Sequence, residues 1–286
     1  MGRTGTIVYD KGKVGLWREV AGAPLGGKLM GVLDLPSKLP VRLWLDPDPA
    51  ANEQSFVAPI KAILTAGTLV LFDRGFDASP FFDWLTDHQV SLVSRARTLG
   101  ASQITEFFTN SSQVRDGLVR FGQYRSHPCT HPLRRVEINV GGVWHRYLTN
   151  ARDPAVLSPR DVAELSGSRW RIEEAFLLTK RLLGLAYRWT GAFNGIALPV
   201  WATWLLDGVL MGRRDAIAQE LDLPLEQISL DMVSRGLDHF TLAAQRGETS
   251  DPVASLAAQS DLGIVKRQRK SRARARLDTW PQELNL

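Results

Sequence analysis

Residues 70–97 read VLFDRGFDASPFFDWLTDHQVSLVSRAR, and this stretch decides the expected fold. It begins with an apolar run that ends at Asp73, continues through the Ser79-Pro80 pair and closes with a second apolar run. A short continuous apolar run is typical of a strand buried on both faces, and Ser-Pro is a common helix start. A buried strand, a helix and another strand in this order indicate a layered α/β core.

The flanking sequence extends this core. Residues 27–45 hold two apolar runs around the turn-forming PSKLP, which predicts a β-hairpin, and a helix is expected after it. Alternating residues around Gly141-Gly142 predict short antiparallel strands, helices dominate from Ser158, and the polar sequence from about residue 248 predicts a mobile tail. The expected regions are a first part of the core (1–110), a β-rich insertion (111–150), a helical completion of the core (151–214), and a helical C-terminal region with a basic tail (215–286).

Basic residues are concentrated near the end of the chain. Of 286 residues, 35 are Lys or Arg and 30 are Asp or Glu, which gives a formal charge of +5. Residues 266–276 contain seven bases and no acid, so the remaining 28 bases and 30 acids leave a body of about −2. Lys266, Arg267, Arg269 and Lys270 are therefore expected to contact the phosphates of an anionic partner, although a solvated charge run is the alternative.

The remaining composition suggests a cytoplasmic protein. The N-terminal sequence has no apolar core of signal-peptide length, and the longest uncharged stretch is shorter than a membrane span requires. Cys129 is the single cysteine, which excludes an internal disulfide and fits a reducing compartment. No membrane partner is expected.

Two acidic residues are candidates for catalysis. Asp73 ends a buried strand, where α/β sheets place ligand groups, although a turn residue explains it equally simply. Arg169, Glu173 and Lys180 fall on one face of a predicted helix. Such a face is either an exposed surface with salt bridges, or a site in which the carboxylate binds a metal ion and the flanking bases bind phosphate.

Four ordered blocks of sequence carry a resemblance to a known family. They are residues 22–45, residues 70–97, YLTN at 147–150 and RWRIEEAFLLTKRLLGL at 169–185. Together they resemble insertion-sequence transposases of the DDE type, in the branch with a Tyr-Arg-Glu-Lys signature. Arg169, Glu173 and Lys180 match that signature, whereas Ser166 stands where the tyrosine belongs.

This resemblance implies a ribonuclease-H-like domain, related in fold to retroviral integrases, with a mixed sheet flanked by helices, an inserted β-rich subdomain and a helical C-terminus. Asp73 and Glu173 would be catalytic and, with a first Asp, would hold two Mg2+ ions, with Mn2+ as a substitute. Arg74, Arg169 and Lys180 would contact DNA, and Trp144 would either stack on a displaced base or pack in the sheet. The implied partners are transposon ends, target DNA and a second copy of the chain on DNA, in a bacterial cytoplasm.

The family's first carboxylate is missing from its expected motif. Counting back from Leu16-Trp17-Arg18 reaches Arg3–Thr6, which contains no acid, and Asp34 lies on the hairpin, on a strand that the family does not use. The sequence therefore predicts a truncated and inactive copy, with a non-enzymatic DNA-binding remnant as the alternative. A further hypothesis is that Asp10 replaces the missing ligand, which requires it to lie beside Asp73 and Glu173.

Two other motifs receive structural interpretations. His127, Cys129 and His131 alternate, but they lack an evident fourth ligand, so a zinc site is disfavoured. Gly26-Gly27-Lys28 lacks the remaining residues of a phosphate-binding loop and is interpreted as the turn into the hairpin.

Overall fold

The computed structural model describes residues 6–14, 19–20, 23–24, 27–48, 51–96, 104–122, 126–181, 193–259 and 262–266. These residues fall into two compact units. The first holds the described residues up to Glu174 except the short segments 19–20 and 23–24, and the second holds the others.

Strands dominate the first unit. In chain order they are β1 (Thr6–Val14), β2 (Glu19–Val20), β3 (Ala23–Pro24), β4 (Gly27–Asp34), β5 (Pro40–Asp46), β6 (Leu69–Phe72), β7 (Ser91–Arg95), β8 (Ile104–Asn110), β9 (Val114–Val119), β10 (Leu133–Val140) and β11 (Val143–Thr149). The pair β2–β3 belongs to the second unit. The other nine form one mixed sheet in the order β5-β4-β1-β6-β7-β11-β10-β9-β8.

Three neighbouring strands of this sheet are parallel, since β6 runs parallel to both β1 and β7. The remaining pairs are antiparallel, including the predicted hairpin β4–β5. The order β5-β4-β1-β6-β7, with a central parallel set and a hairpin at one side, is the sheet expected of a ribonuclease-H-like domain. The predicted fold class is therefore confirmed.

Seven α-helices are described in the two units. They are α1 (Val57–Lys61), α2 (Ser79–Asp87), α3 (Pro159–Ser168), α4 (Trp170–Arg181), α5 (Phe193–Glu220), α6 (Leu230–Gln245) and α7 (Pro252–Ala257). Ser158 begins α3 with a capping box, because its hydroxyl accepts from the Asp161 amide and the Asp161 carboxylate accepts from the Ser158 amide. Helix α3 contacts β6, β7, β10 and β11, so it covers one face of the sheet.

Phenylalanine side chains fill the space between the sheet and α2. The ring of Phe72 at the end of β6 lies 5.8 Å from the rings of both Phe81 and Phe82 in α2. Leu71 alternates with Phe72 and is also fully buried, so β6 is covered on both faces. The continuous apolar run that predicts this strand is explained by that double burial.

The β-rich stretch extends the core sheet beyond β7. Its strands β9 to β11 pair with one another, and β11 pairs with β7. Arg134 in β10 and Asp116 in β9 form a fully buried bidentate ion pair, with N···O distances of 2.7 and 2.6 Å. Arg134 also donates to the carbonyl of Leu157 at 2.6 Å, which ties the strands to the loop before α3.

The second unit has its own apolar core, formed by α5, α6 and α7. The expectation of a mobile polar tail from residue 248 is wrong at its start, because α7 begins at Pro252 with Asp251 as its N-cap. Ile228 and Val265 form an isolated β-bridge, and Ile264 is buried. Among the described residues, none of the helices has the length and apolar composition needed to cross a bilayer.

Candidate active site

Asp73 lies at the carboxyl end of the central strand. It directly follows β6, and its backbone carbonyl accepts a hydrogen bond from the Phe76 amide at 3.2 Å. This bond closes a single 3-10 turn, Arg74–Phe76, and the Gln54 side chain donates to the carbonyl of Gly75 at 3.0 Å. The turn ends the strand and leaves Asp73 half buried at the carboxyl end of the parallel strands, where α/β proteins place ligand groups.

Asp10 occupies a related position on the adjacent strand. Val8 of β1 pairs with Leu71 of β6 in parallel register, and continuing that register by two residues puts Asp10 level with Asp73. Adjacent strands are about 4.8 Å apart, so the paired positions Val8 and Leu71 are neighbours across the sheet, and Asp10 and Asp73 each follow them by two residues. On its other side Asp10 pairs with Gly31 of β4, a residue without a side chain.

Glu173 and Arg169 form an ion pair around the start of α4. Arg169 lies between α3 and α4 and is buried, whereas the Glu173 side chain is 37% exposed. The Arg169 Nη2 atom donates to the Glu173 Oε1 atom at 2.8 Å. Because Arg169 is held by burial, this bond orients the carboxylate of Glu173.

The other predicted site residues are placed less completely. Lys180 lies in α4 and Arg74 in the turn after Asp73, but their side chains are outside the described part of the chain. Lys266 is described and exposed. Arg267, Arg269 and Lys270 lie outside the described residues.

Ser166 and Trp144 occupy ordinary structural positions. Ser166, at the signature's tyrosine position, is buried in the last turn of α3. Trp144 lies half buried in β11, and the guanidinium of Arg115 is 4.5 Å from the centroid of its ring. One face of the Trp144 ring is therefore covered by a cation.

The HPCTH segment packs against α2. The amides of Thr130 and His131 both donate to the Asp83 carboxylate, and the His131 ring lies 2.7 Å from Asp87. Cys129 is buried. Among the described side chains, no group of three His, Cys, Asp or Glu residues is arranged to hold a metal ion.

The glycine-lysine pair and the hairpin carboxylate are also structural. Lys28 is buried in β4, where it donates to the Ala51 carbonyl and lies 3.5 Å from Glu53. Asp34 caps the hairpin turn by accepting from the Ser37 amide at 2.9 Å. Asp34 pairs with Ile7 near the start of β1, at the end of the sheet opposite to Asp73, whereas Lys28 pairs with Lys13 near the carboxyl end of β1.

Asp73 and Glu173 stay predictions from the sequence, in which Asp10 is considered only as a substitute for the missing first carboxylate. Asp10 lacks the expected motif, and its level relative to Asp73 follows from the pairing of β1 with β6. The alternation of Arg135 and Glu137, flanked by Arg115 and Arg146 on neighbouring strands, is a charge pattern that was not identified from the sequence. These four residues converge in the structure.

A family model matches this chain, and a solved structure is similar to it in fold. The model of the transposase DDE domain matches residues 27–194. No curated protein sequence matches the chain. The structure is similar to a cryo-EM structure of a piggyBac transposase synaptic complex with hairpin DNA, with a TM-score of 0.52, 12% identity and coverage of 98% of this chain.

That likeness covers 61% of the piggyBac transposase chain, and at 12% identity it bears on the fold alone. The domain match, by contrast, spans more than half of this sequence and includes both Asp73 and Glu173. It also agrees with the four sequence blocks quoted above. The chain therefore belongs to the transposase DDE-domain family.

Proposed function

We propose that this chain is the catalytic core of an insertion-sequence transposase that cuts and joins DNA with divalent cations held by Asp10, Asp73 and Glu173. The observation that carries this proposal is the register of β1 on β6, which is consistent with Asp10 as the third carboxylate beside Asp73. All three residues belong to the first unit.

The donor set fits Mg2+, with Mn2+ as a substitute, because both are hard cations that prefer carboxylate oxygens. When bound, a pair of such ions supplies an activated water or 3′-hydroxyl and neutralises charge on the leaving oxygen. Asp10 and Asp73 would hold the cations at the carboxyl end of the parallel strands. Glu173, oriented by Arg169, would complete the ligand set from α4.

DNA is the proposed substrate, both as transposon ends and as target. Arg74 follows Asp73 directly, so it is proposed to contact a phosphate near the reacting bond. Lys180, two helical turns after Glu173 in the sequence, is proposed as a further DNA contact. The basic segment 266–276 would add contacts that are independent of DNA sequence. Assembly of two copies on paired ends, in a bacterial cytoplasm, is part of the same proposal.

Strand cleavage tests this function. A supercoiled plasmid carrying the genomic DNA from both sides of the gene is incubated with the full chain and Mg2+ or Mn2+. We expect nicking near the element ends that requires the cation. Asp73→Asn and Glu173→Gln should each lower the cleavage rate by at least about a thousandfold, since each removes a metal ligand.

Asp10→Asn distinguishes this proposal from the expectation of an inactive copy. Loss of cleavage in this variant supports Asp10 as the third ligand. No cleavage by the wild-type chain, together with salt-sensitive binding to DNA, would instead favour the non-enzymatic DNA-binding remnant. Cleavage that survives Asp73→Asn would contradict the proposal.

A further inference from the structure

Three arginines surround one glutamate on the sheet extension. Glu137 in β10 is buried, and its carboxylate lies 2.9 Å from Arg146, 3.3 Å from Arg135 and 3.9 Å from Arg115. Together these four residues form a group that we call the arginine cluster. They come from three neighbouring strands of the first unit, β9, β10 and β11.

Strand pairing explains why the cluster forms. Glu137 is directly opposite both Arg115 and Arg146, and Arg135 precedes it by two residues on the same strand. Residues opposite one another in antiparallel pairs, and residues two apart along a strand, share one face of a sheet. The same face continues to Leu133, which is packed in the apolar core.

The cluster brings three guanidinium groups together around one carboxylate. Burial lowers the pKa of the Arg135 guanidinium, Glu137 raises it, and Arg146 and Arg115 lower it further. The side chains of Arg135 and Arg146 are only 18% and 26% exposed, so water screens their repulsion incompletely. An additional anion placed over the cluster would relieve this repulsion.

The surroundings of the cluster suit a nucleic acid. The guanidinium of Arg115 lies 4.5 Å from the centroid of the Trp144 ring, a cation–π contact that restrains this side chain. Phe107 in β8 is 47% exposed and lies opposite Gly117 in β9. An added Cβ at Gly117 would be 2.1 Å from the Glu106 carbonyl oxygen, so the two strands approach closely beside Phe107. Arginine beside exposed aromatic residues on a sheet is a surface that nucleic acids recognise.

The cluster also lies at the end of the sheet where the parallel strands β6 and β7 finish. Ala96, the first residue after β7, donates from its amide to the Arg146 carbonyl at 2.9 Å. Asp73 similarly follows the end of β6, which is parallel to β7. Arg146 and Arg115 are therefore level with the carboxyl end of β7, and the cluster spans three further strands over roughly 10 Å. By strand alternation its side chains share the face of the sheet that contains Phe72, opposite to the face of Leu71.

We propose that the arginine cluster binds consecutive phosphates of a DNA strand and holds DNA against strands β9 to β11. This inference rests on the proposed function for the identity of the substrate. A spread over three strands matches a run of phosphates better than a single small anion. Glu137 acts as a positioning residue, because it holds the three guanidinium groups together without contacting DNA itself.

Salt-dependent binding to DNA tests the cluster. The double variant Arg115→Gln/Arg146→Gln is compared with Arg160→Gln/Arg235→Gln, which removes the same charge from two exposed arginines paired with acids on their own helices. Fluorescence anisotropy with a labelled duplex, without divalent cations, gives affinity and its dependence on NaCl. Thermal unfolding of every variant reports whether it is folded.

The cluster variant should bind duplex DNA at least about tenfold more weakly than wild type at low salt. The slope of log affinity against log salt should fall in magnitude by about two, one per arginine that contacts phosphate. The control double variant should change both quantities much less. If the cluster variant folds and binds like the control, the inference is wrong.

Two further outcomes separate the possible errors. Wild-type chain that does not bind DNA at any salt concentration would overturn the proposed function as well as the cluster. Polyglutamate is added as a competitor at a charge concentration equal to that of the DNA. If it displaces DNA from wild type but not from the cluster variant, the cluster binds an acidic protein and the DNA assignment is overturned.

Discussion

Asp207 is a carboxylic acid buried within α5, with 2% of its surface exposed. Burial raises the pKa of its carboxyl from 3.8 to about 6, because charge is disfavoured away from water. The folded chain therefore binds this proton more tightly than the unfolded chain. By linkage, the contribution of Asp207 to stability is largest below pH 4 and is lost as pH rises to about 6.

Asp207→Asn should remove this pH dependence. At pH 7 the variant should be more stable than wild type by up to about 3 kcal/mol, since it no longer carries a buried charge. Urea unfolding at pH 4, 5, 6 and 7 measures the difference. Asp215→Asn, an exposed acid of the same helix, serves as the control. Identical pH profiles for wild type and Asp207→Asn would contradict this prediction.

Among individual residues, the sequence singles out those that belong to a local pattern. Asp73 follows an apolar run and Glu173 follows Arg169 by one helical turn, so the sequence predicts both as site residues. The position of Asp10 depends on how β1 pairs with β6, a contact between residues about 60 positions apart. No local pattern encodes such a pairing, and this is why Asp10 remained only a hypothesis.

The ion pair of Arg134 and Asp116 connects several elements of the first unit. It joins β9 to β10, and Arg134 also reaches the carbonyl of Leu157 before α3. Removing one partner of a fully buried pair leaves an uncompensated charge, which costs about 3–5 kcal/mol. Asp116→Asn should therefore lower the free energy of unfolding by an amount in that range.

Urea unfolding with a matched surface variant checks this. Glu164→Gln breaks the exposed pair of Arg160 and Glu164 within α3, whose N···O distance is 2.9 Å. Exposed pairs contribute at most about 1 kcal/mol, so this control should stay near wild type. Equal effects of the two substitutions would show that the buried pair is not a principal connection between the strands and α3.

Helices and strands followed the sequence patterns closely where a pattern was strong. The hairpin β4–β5, the buried strand β6 and the Ser-Pro start of α2 agree with their predictions. The exception is α7, because the polar composition of this region predicts a mobile tail although Asp251-Pro252 is a helix-start signal. That helix buries Leu256 in the core of the second unit, a tertiary contact that composition does not reveal.

For the molecule as a whole, sequence predicted the class of sheet but not its extent. The β-rich stretch was expected as an insertion, and its strands were found to continue the core sheet to nine strands. The same continuation brings the arginine cluster to the end of the sheet where the parallel strands β6 and β7 finish. Both results depend on long-range strand pairing, in which residues from distant parts of the chain become neighbours.

Binding of Mn2+ tests the central claim, a carboxylate site formed by Asp10, Asp73 and Glu173. Titration of the full chain, followed by the electron paramagnetic resonance signal of free Mn2+, measures affinity without any need for the terminal-repeat sequence. Asp34→Asn is the matched control, because Asp34 is in the same sheet but accepts a hydrogen bond from Ser37 in the hairpin turn. Asp10→Asn and Asp73→Asn should each weaken Mn2+ binding by at least about tenfold, since each removes a ligand, with Asp34→Asn unchanged. Wild-type affinity in Asp10→Asn would contradict the claim.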